Sequence, residues 1–149
     1  TQRPAQVEER ATTSPPPETG GNDVRIAAYK PPARPRYARP VPSRAVAGLM
    51  RKAEDQRQQG ELDGASISLE RALRIAPDDP TLWHRLAEVR MVQRRHDLVV
   101  QLAAKSNALT SSRDHRLLSD NWGLIARSRR ALGDVSGASE AERRAASYR

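Results

Sequence analysis

From Ser43 onward, apolar residues recur three and four apart, the spacing of one face of an α-helix, and the pattern is interrupted at short intervals. The clearest interruption lies within Ala72–Ala87. Ala72, Leu73 and Ile75 are the last apolar positions of one helix. Pro77 stops that helix, because it has no N–H to donate and its ring collides with the preceding turn. Asp79 can cap the next helix, and Pro80 suits a first helical position. Trp83, Leu86 and Ala87 then open a new stripe. Other breaks fall at Gln59-Gly60-Glu61, Arg95-His96, Thr110 to Arg113 and Gly133-Asp134. Together they predict an all-α chain with helices over 44–58, 62–75, 80–94, 97–109, 114–131 and 135–148. The connections are short, so successive helices should pair as antiparallel hairpins. On the last helix Ala138, Ala141, Ala145 and Tyr148 share a stripe, with Ser136, Ser139, Glu140, Arg143 and Ser147 off it. That arrangement predicts a polar outer face able to close the end of a stack.

Residues 1–42 have a different character. Nine of the eleven prolines lie there, too many for a helix, and apolar residues are too sparse for a core. A disordered Pro/Arg-rich linker is expected, extending at roughly 3.1 Å per residue and so reaching on the order of 100 Å. Between Arg25 and Arg44 it carries Arg25, Lys30, Arg34, Arg36, Arg39 and Arg44 with no acid, and Tyr29 and Tyr37 are interleaved. Such a run can meet an anionic surface or serve only as a solvated spacer. Val24, Ile26 and Ala28 alternate with other residues and could dock as a short extended segment.

An internal repeat organises residues 43–149. Gly133-Asp134-Val135-Ser136-Gly137-Ala138 resembles Gly60-Glu61-Leu62-Asp63-Gly64-Ala65, and Leu49, Trp83 and Trp122 stand eleven residues before Gly60, Arg94 and Gly133. On these residues the chain resembles the tetratricopeptide-repeat family, whose unit is a helix–turn–helix of about 34 residues. The resemblance implies three units, over 46–79, 80–113 and 119–149. Ala53, Ala65, Ala72, Ala87, Ala103, Ala126, Ala138 and Ala145 then let helices approach closely, and Leu69, Trp83 and Trp122 fill the gaps between units. The second unit departs from the pattern with Arg94 where a turn Gly belongs and Val99 where Ala is usual, and the third begins five residues late.

The resemblance also implies a concave groove lined by the first helix of each pair. The expected partner-binding residues are Met50, Glu54 and Arg57, then His84, Glu88 and Met91, then Arg127 and Arg130, with Ala47, Asp120 and Gly123 beside them. The cluster of Lys and Asn with which the family's peptide readers hold a terminal carboxylate is absent, so recognition of that kind of tail is not expected.

Composition narrows the chemistry. There is no Cys, which excludes disulfides, thiolate metal sites and a Cys nucleophile. No motif for a metal, a phosphate-binding loop or a nucleophile elbow is present among His84, His96, His115 and the acids, so no catalytic, cofactor or metal site is expected. His84 and His115 are expected at the surface or in the groove, and Asp78 and Asp79 as caps. The net charge is +8, and residues 43–149 alone carry 19 Lys/Arg against 14 Asp/Glu with the signs interspersed. A nucleic-acid partner therefore takes second place to a protein partner.

In layout, with a Pro-rich tail, C-terminal repeats and the stretch Arg74 to Pro80, the chain is similar to the tetratricopeptide-type outer-membrane lipoproteins that activate a class A penicillin-binding protein. That likeness implies a non-catalytic, monomeric protein-binding module, periplasmic and held to the outer membrane by a lipid upstream of Thr1. A signal segment removed before Thr1 is expected. A cytosolic scaffold in another complex is the alternative if no export signal precedes it.

Overall fold

The computed structural model describes residues 41–149. The expected Pro/Arg-rich linker and its basic run fall almost wholly outside them. The described residues form six α-helices: α1 (Arg44–Gln58), α2 (Leu62–Ile75), α3 (Pro80–Val92), α4 (His96–Leu109), α5 (His115–Ala131) and α6 (Val135–Ser147). These are the six expected helices, with ends shifted by one or two residues. The largest shift is at α3, which stops at Val92 rather than at 94 because Gln93 to Arg95 are spent on the turn.

Side-chain caps set four of the helix starts. Ser43 accepts from the Val46 N–H, Asp79 from Thr81, Asp114 from Leu117 and Asp134 from Gly137. Each satisfies an N–H that has no partner within its helix.

The turns inside the three hairpins share one geometry. Gly60, Arg94 and Gly133 all adopt the left-handed conformation, with φ of 78°, 60° and 86°. At each, the turn residue's N–H donates to the carbonyl three residues back, and the following N–H donates to the carbonyl five residues before itself. This is the glycine-ended helix terminus, built once without glycine. Arg94 is the only non-Gly residue with positive φ among those described. The geometry of the repeat overrides the preference of the residue, at a local cost of about 1–2 kcal/mol.

The late start of the third unit has a structural explanation. The α4–α5 connection is one residue longer than the α2–α3 connection, and α5 has 17 residues where α3 has 13. The delay is therefore one residue of connection plus an extra helical turn at the front of the third unit, His115 to Leu118.

α1 pairs with α2, α3 with α4 and α5 with α6; α2 then packs on α3, α4 on α5, and α3 on α5. Small residues occupy the crossings, and Ala65, Ala72, Ala87, Ala103, Ala138 and Ala141 have no exposed surface. Val99 takes the usual alanine position in the second hairpin and is also fully buried. Leu69, Leu82, Leu86 and Val89 fill the space between the first two units.

Several expected core positions lie elsewhere. Ile75 is 53% exposed, because the last turn of α2 carries Ala72 and Leu73 inward and Ile75 away. Trp83 is only half-buried. Leu82 fills the core there, while the Trp83 indole N–H donates to the Pro77 carbonyl at 2.7 Å and the Lys105 ammonium lies 5.9 Å from the ring centre. Trp122 is likewise half-buried under the Arg144 guanidinium, at 4.7 Å. Tyr148 caps α6 rather than continuing it, and its ring lies 5.7 Å from that of His115. His84, expected at the surface or in the groove, lies in the groove and is largely buried there. His115 is exposed.

Candidate functional site

The first helices of the hairpins, α1, α3 and α5, present a run of adjoining hollows. Between α1 and α3, Met50, Ala53, Glu54, Arg57, Arg85 and Glu88 line a cavity of about 370 Å³. The surface continues between α3 and α5 past His84, Arg116 and Asp120, and ends at Gly123, Arg127 and Arg149.

At the α1–α3 end two of the three lining arginines, Arg57 and Arg85, are paired with acids, and Arg51 is not paired among the described residues. Arg57 donates to both oxygens of Glu54, at 2.6 and 3.0 Å, and Gln58 adds a third bond at 3.1 Å. These donors pull the Glu54 carboxyl down to about 2, and the same bond raises the Arg57 guanidinium. Arg85 donates to Glu88 at 2.9 Å, and the His84 Nε2 lies 3.4 Å from the other Glu88 oxygen. Burial by itself pushes the Glu88 carboxyl up. The hydrogen bond and charge of His84, followed by those of Arg85, outweigh burial and hold it below the usual carboxylate range.

Beneath this surface runs a buried polar chain. The His84 Nδ1 is 2.7 Å from the Asn121 Oδ1, the Asn121 amide donates to Ser106 Oγ at 2.8 Å, and Ser106 Oγ donates to the Pro80 carbonyl at 2.8 Å. Asn121 and Ser106 have no exposed surface and His84 has 8%. Since the Asn121 oxygen accepts, the His84 Nδ1 is the donor, which leaves Nε2 facing Glu88. One chain of hydrogen bonds thus ties α3, α4 and α5 to the groove floor.

Of the eight residues expected to bind a partner, Met50, Glu54 and Arg57 meet at the α1–α3 end, His84 and Glu88 form the middle, and Arg127 lines the α5 end. Met91 packs against the core between α3 and α5, and Ser128 Oγ donates weakly to its sulfur at 3.9 Å. Arg130 turns to α6, where it pairs with Glu142. Four residues the sequence reasoning did not single out belong to the site: Arg85, Arg116, Arg149 and, beneath it, Asn121. Asn121 carried a legible signal, a polar residue one place before Trp122 where Leu82 stands one place before Trp83. Arg149, at the end of the chain, carried none. Among the described residues no group of three or more His, Asp or Glu is placed to hold a metal ion, and no helix is long and apolar enough to cross a membrane.

A tetratricopeptide-repeat family model matches residues 46–89. No curated protein sequence matches the chain significantly. With the repeated turns, the stacked hairpins and the relative described next, the chain belongs to the tetratricopeptide-repeat family. That relative is the globular C-terminal domain of P. aeruginosa LpoP, 36% identical, with a TM-score of 0.66 over 69% of this chain and 96% of that one. The N-terminal domain of stress-induced protein-1 (STI-1) from C. elegans superposes equally well, with a TM-score of 0.66 over 70% of this chain and 84% of that domain. At 17% identity, it shares the fold alone.

Proposed function

We propose that this chain is a non-catalytic protein-binding module that activates a class A penicillin-binding protein from the periplasmic face of the outer membrane. The observation that carries this reading is the 36% identity spread over 96% of the LpoP globular domain. The groove supports it in kind, offering adjoining hollows, part apolar beside Met50 and Ala53 and polar towards α5, over which a partner chain can lie.

Activation by such a module is a matter of differential affinity. It shifts the synthase toward its active conformation only by as much as it binds that conformation more tightly, and a tenfold shift needs about 1.4 kcal/mol. The test is to add the purified full chain to the class A synthase of the same cell and follow glycan polymerisation and peptide crosslinking. Stimulation that saturates with concentration is expected, and unchanged rates at saturating chain contradict the proposal. Metabolic labelling with palmitate, followed by membrane fractionation of the encoded precursor, checks the outer-membrane anchor separately.

A further inference from the structure

The two ends of the groove differ in how their charges are satisfied. At the α1–α3 end each of Arg57 and Arg85 has an acid on its own helix, and the third lining arginine, Arg51, has no ion pair among the described residues. At the α5 end Arg127 and Arg149 line the same two adjoining hollows, and neither has an ion pair or a side-chain hydrogen bond among the described residues. Of the nearby acids, Glu88 is committed to Arg85 and His84 and Glu142 to Arg130, while Asp120 has no ion pair among the described residues. Gly123, in the middle of α5, lines both hollows with the two arginines, and an added Cβ there would meet nothing within 4 Å. A mid-helix glycine weakens a helix relative to alanine, and here packing within the chain does not require it. What it leaves is bare helix backbone in the same hollows as two unpaired guanidiniums.

We propose that this end of the groove is a carboxylate-binding subsite: Arg127 and Arg149 take an Asp- or Glu-bearing segment of the partner protein laid across Gly123. The inference deepens the function proposed above and rests on it only for the partner's identity. Guanidinium and carboxylate match as planar, two-point partners, and such charge-assisted bonds are the strong ones. Asp120, also without an ion pair, lines the same hollow as Arg127. An acid facing the arginines and a donor facing Asp120 would therefore give the bound segment a direction. The same Asp120 repels a continuous polyanion, and Trp122 is stacked under Arg144 rather than free for a base. Both features favour a protein segment over nucleic acid.

The test titrates isotope-labelled full chain with a short peptide alternating Gly and Glu, and with its Gly and Gln counterpart, following backbone amide shifts at low salt. Shifts centred on Gly123, Arg127 and Arg149 are expected with the Glu peptide only. They should vanish in Arg127→Gln/Arg149→Gln and persist in Arg94→Gln/Arg143→Gln, which removes two exposed charges outside these hollows. Equal shifts with the Gln peptide, no shifts at all, or tighter binding of an oligothymidine at the same amides overturn the proposal.

Stimulation of the synthase separates this inference from the proposed function. The double variant should need about tenfold more chain for half-maximal effect. If wild type stimulates and the double variant does so equally well, the subsite falls and the function stands. If wild type does not stimulate but the Glu peptide shifts Gly123 in an Arg-dependent way, the function falls and the subsite stands.

Discussion

The two junctions between hairpins are built from different materials. Where α2 meets α3, the contact is apolar throughout its centre, with Ala72, Leu73, Leu82, Leu86 and Val89, and polar pairs are confined to the rim, such as Arg90 with Glu70 and Gln93 with Asp63. Where α3 and α4 meet α5, an apolar cluster around Val99, Leu124 and Ile125 lies beside the buried chain His84–Asn121–Ser106–Pro80. Apolar contact is tolerant of sliding, whereas a hydrogen-bonded chain fits in one register only. The polar junction is the one where the repeat is irregular, since α5 carries an extra turn. The buried chain fixes how far along α3 that longer helix sits, so that Gly123 and Arg127 continue the groove opened by Glu54 and Glu88.

The contrast can be broken most heavily at the apolar junction. Leu82→Ala should cost about 3–4 kcal/mol, measured by urea unfolding, because Leu82 is fully buried and its neighbours cannot collapse into the space. At the polar junction, Asn121→Leu restores the residue type of the first junction yet leaves the His84 Nδ1 buried without its acceptor. It should cost about 2 kcal/mol. A stability gain instead would show that the buried chain serves specificity alone. Trp83→Ala, at the corner between the units, should cost roughly 2 kcal/mol, since the indole is half-buried but donates to Pro77.

Acid should act on the groove side of both junctions. Glu54 and Glu88 have folded-state carboxyl values lowered from the ordinary 4.5, so the stability they contribute is full above that value and is lost as pH falls through their lowered folded values. The melting temperature should drop below about pH 4.5, and Glu88→Gln should flatten that drop. Glu54 is more exposed, and its pair with Arg57 should contribute little. The smallest effect is a gain. Arg94→Gly relieves the left-handed non-glycine turn of the second hairpin and should stabilise the chain by about 0.5–1 kcal/mol, read as a rise in the urea midpoint.

The sequence was most legible where backbone chemistry dictates structure. Pro77, Asp79 and Pro80 marked a junction, Gly60 and Gly133 marked turns, and the eleven-residue offset to Arg94 placed the third turn despite its side chain. It was less legible wherever the rotation of a helix about its axis decides burial. A stripe defined by spacing includes both Leu82 and Trp83, and only packing against α2 shows that Leu82 points inward. Ile75 ends the apolar pattern of α2 by spacing and faces out for the same reason of rotation. The groove was legible as a set of helix positions. Its pairing pattern was not, because Arg149 joins Arg127 only through the folding of α6 back along α5, and because Asn121 finds His84 across 37 residues of chain.

The most direct test of the central claim, that this fold binds its partner through the α1–α3–α5 face, is site-specific photo-crosslinking to the class A synthase. A photoreactive side chain is placed at Arg127 in the groove or at Ile67, exposed on α2. The account predicts a crosslinked adduct from position 127 and none from position 67. An adduct from position 67 alone would place the contact on the second helices and contradict it.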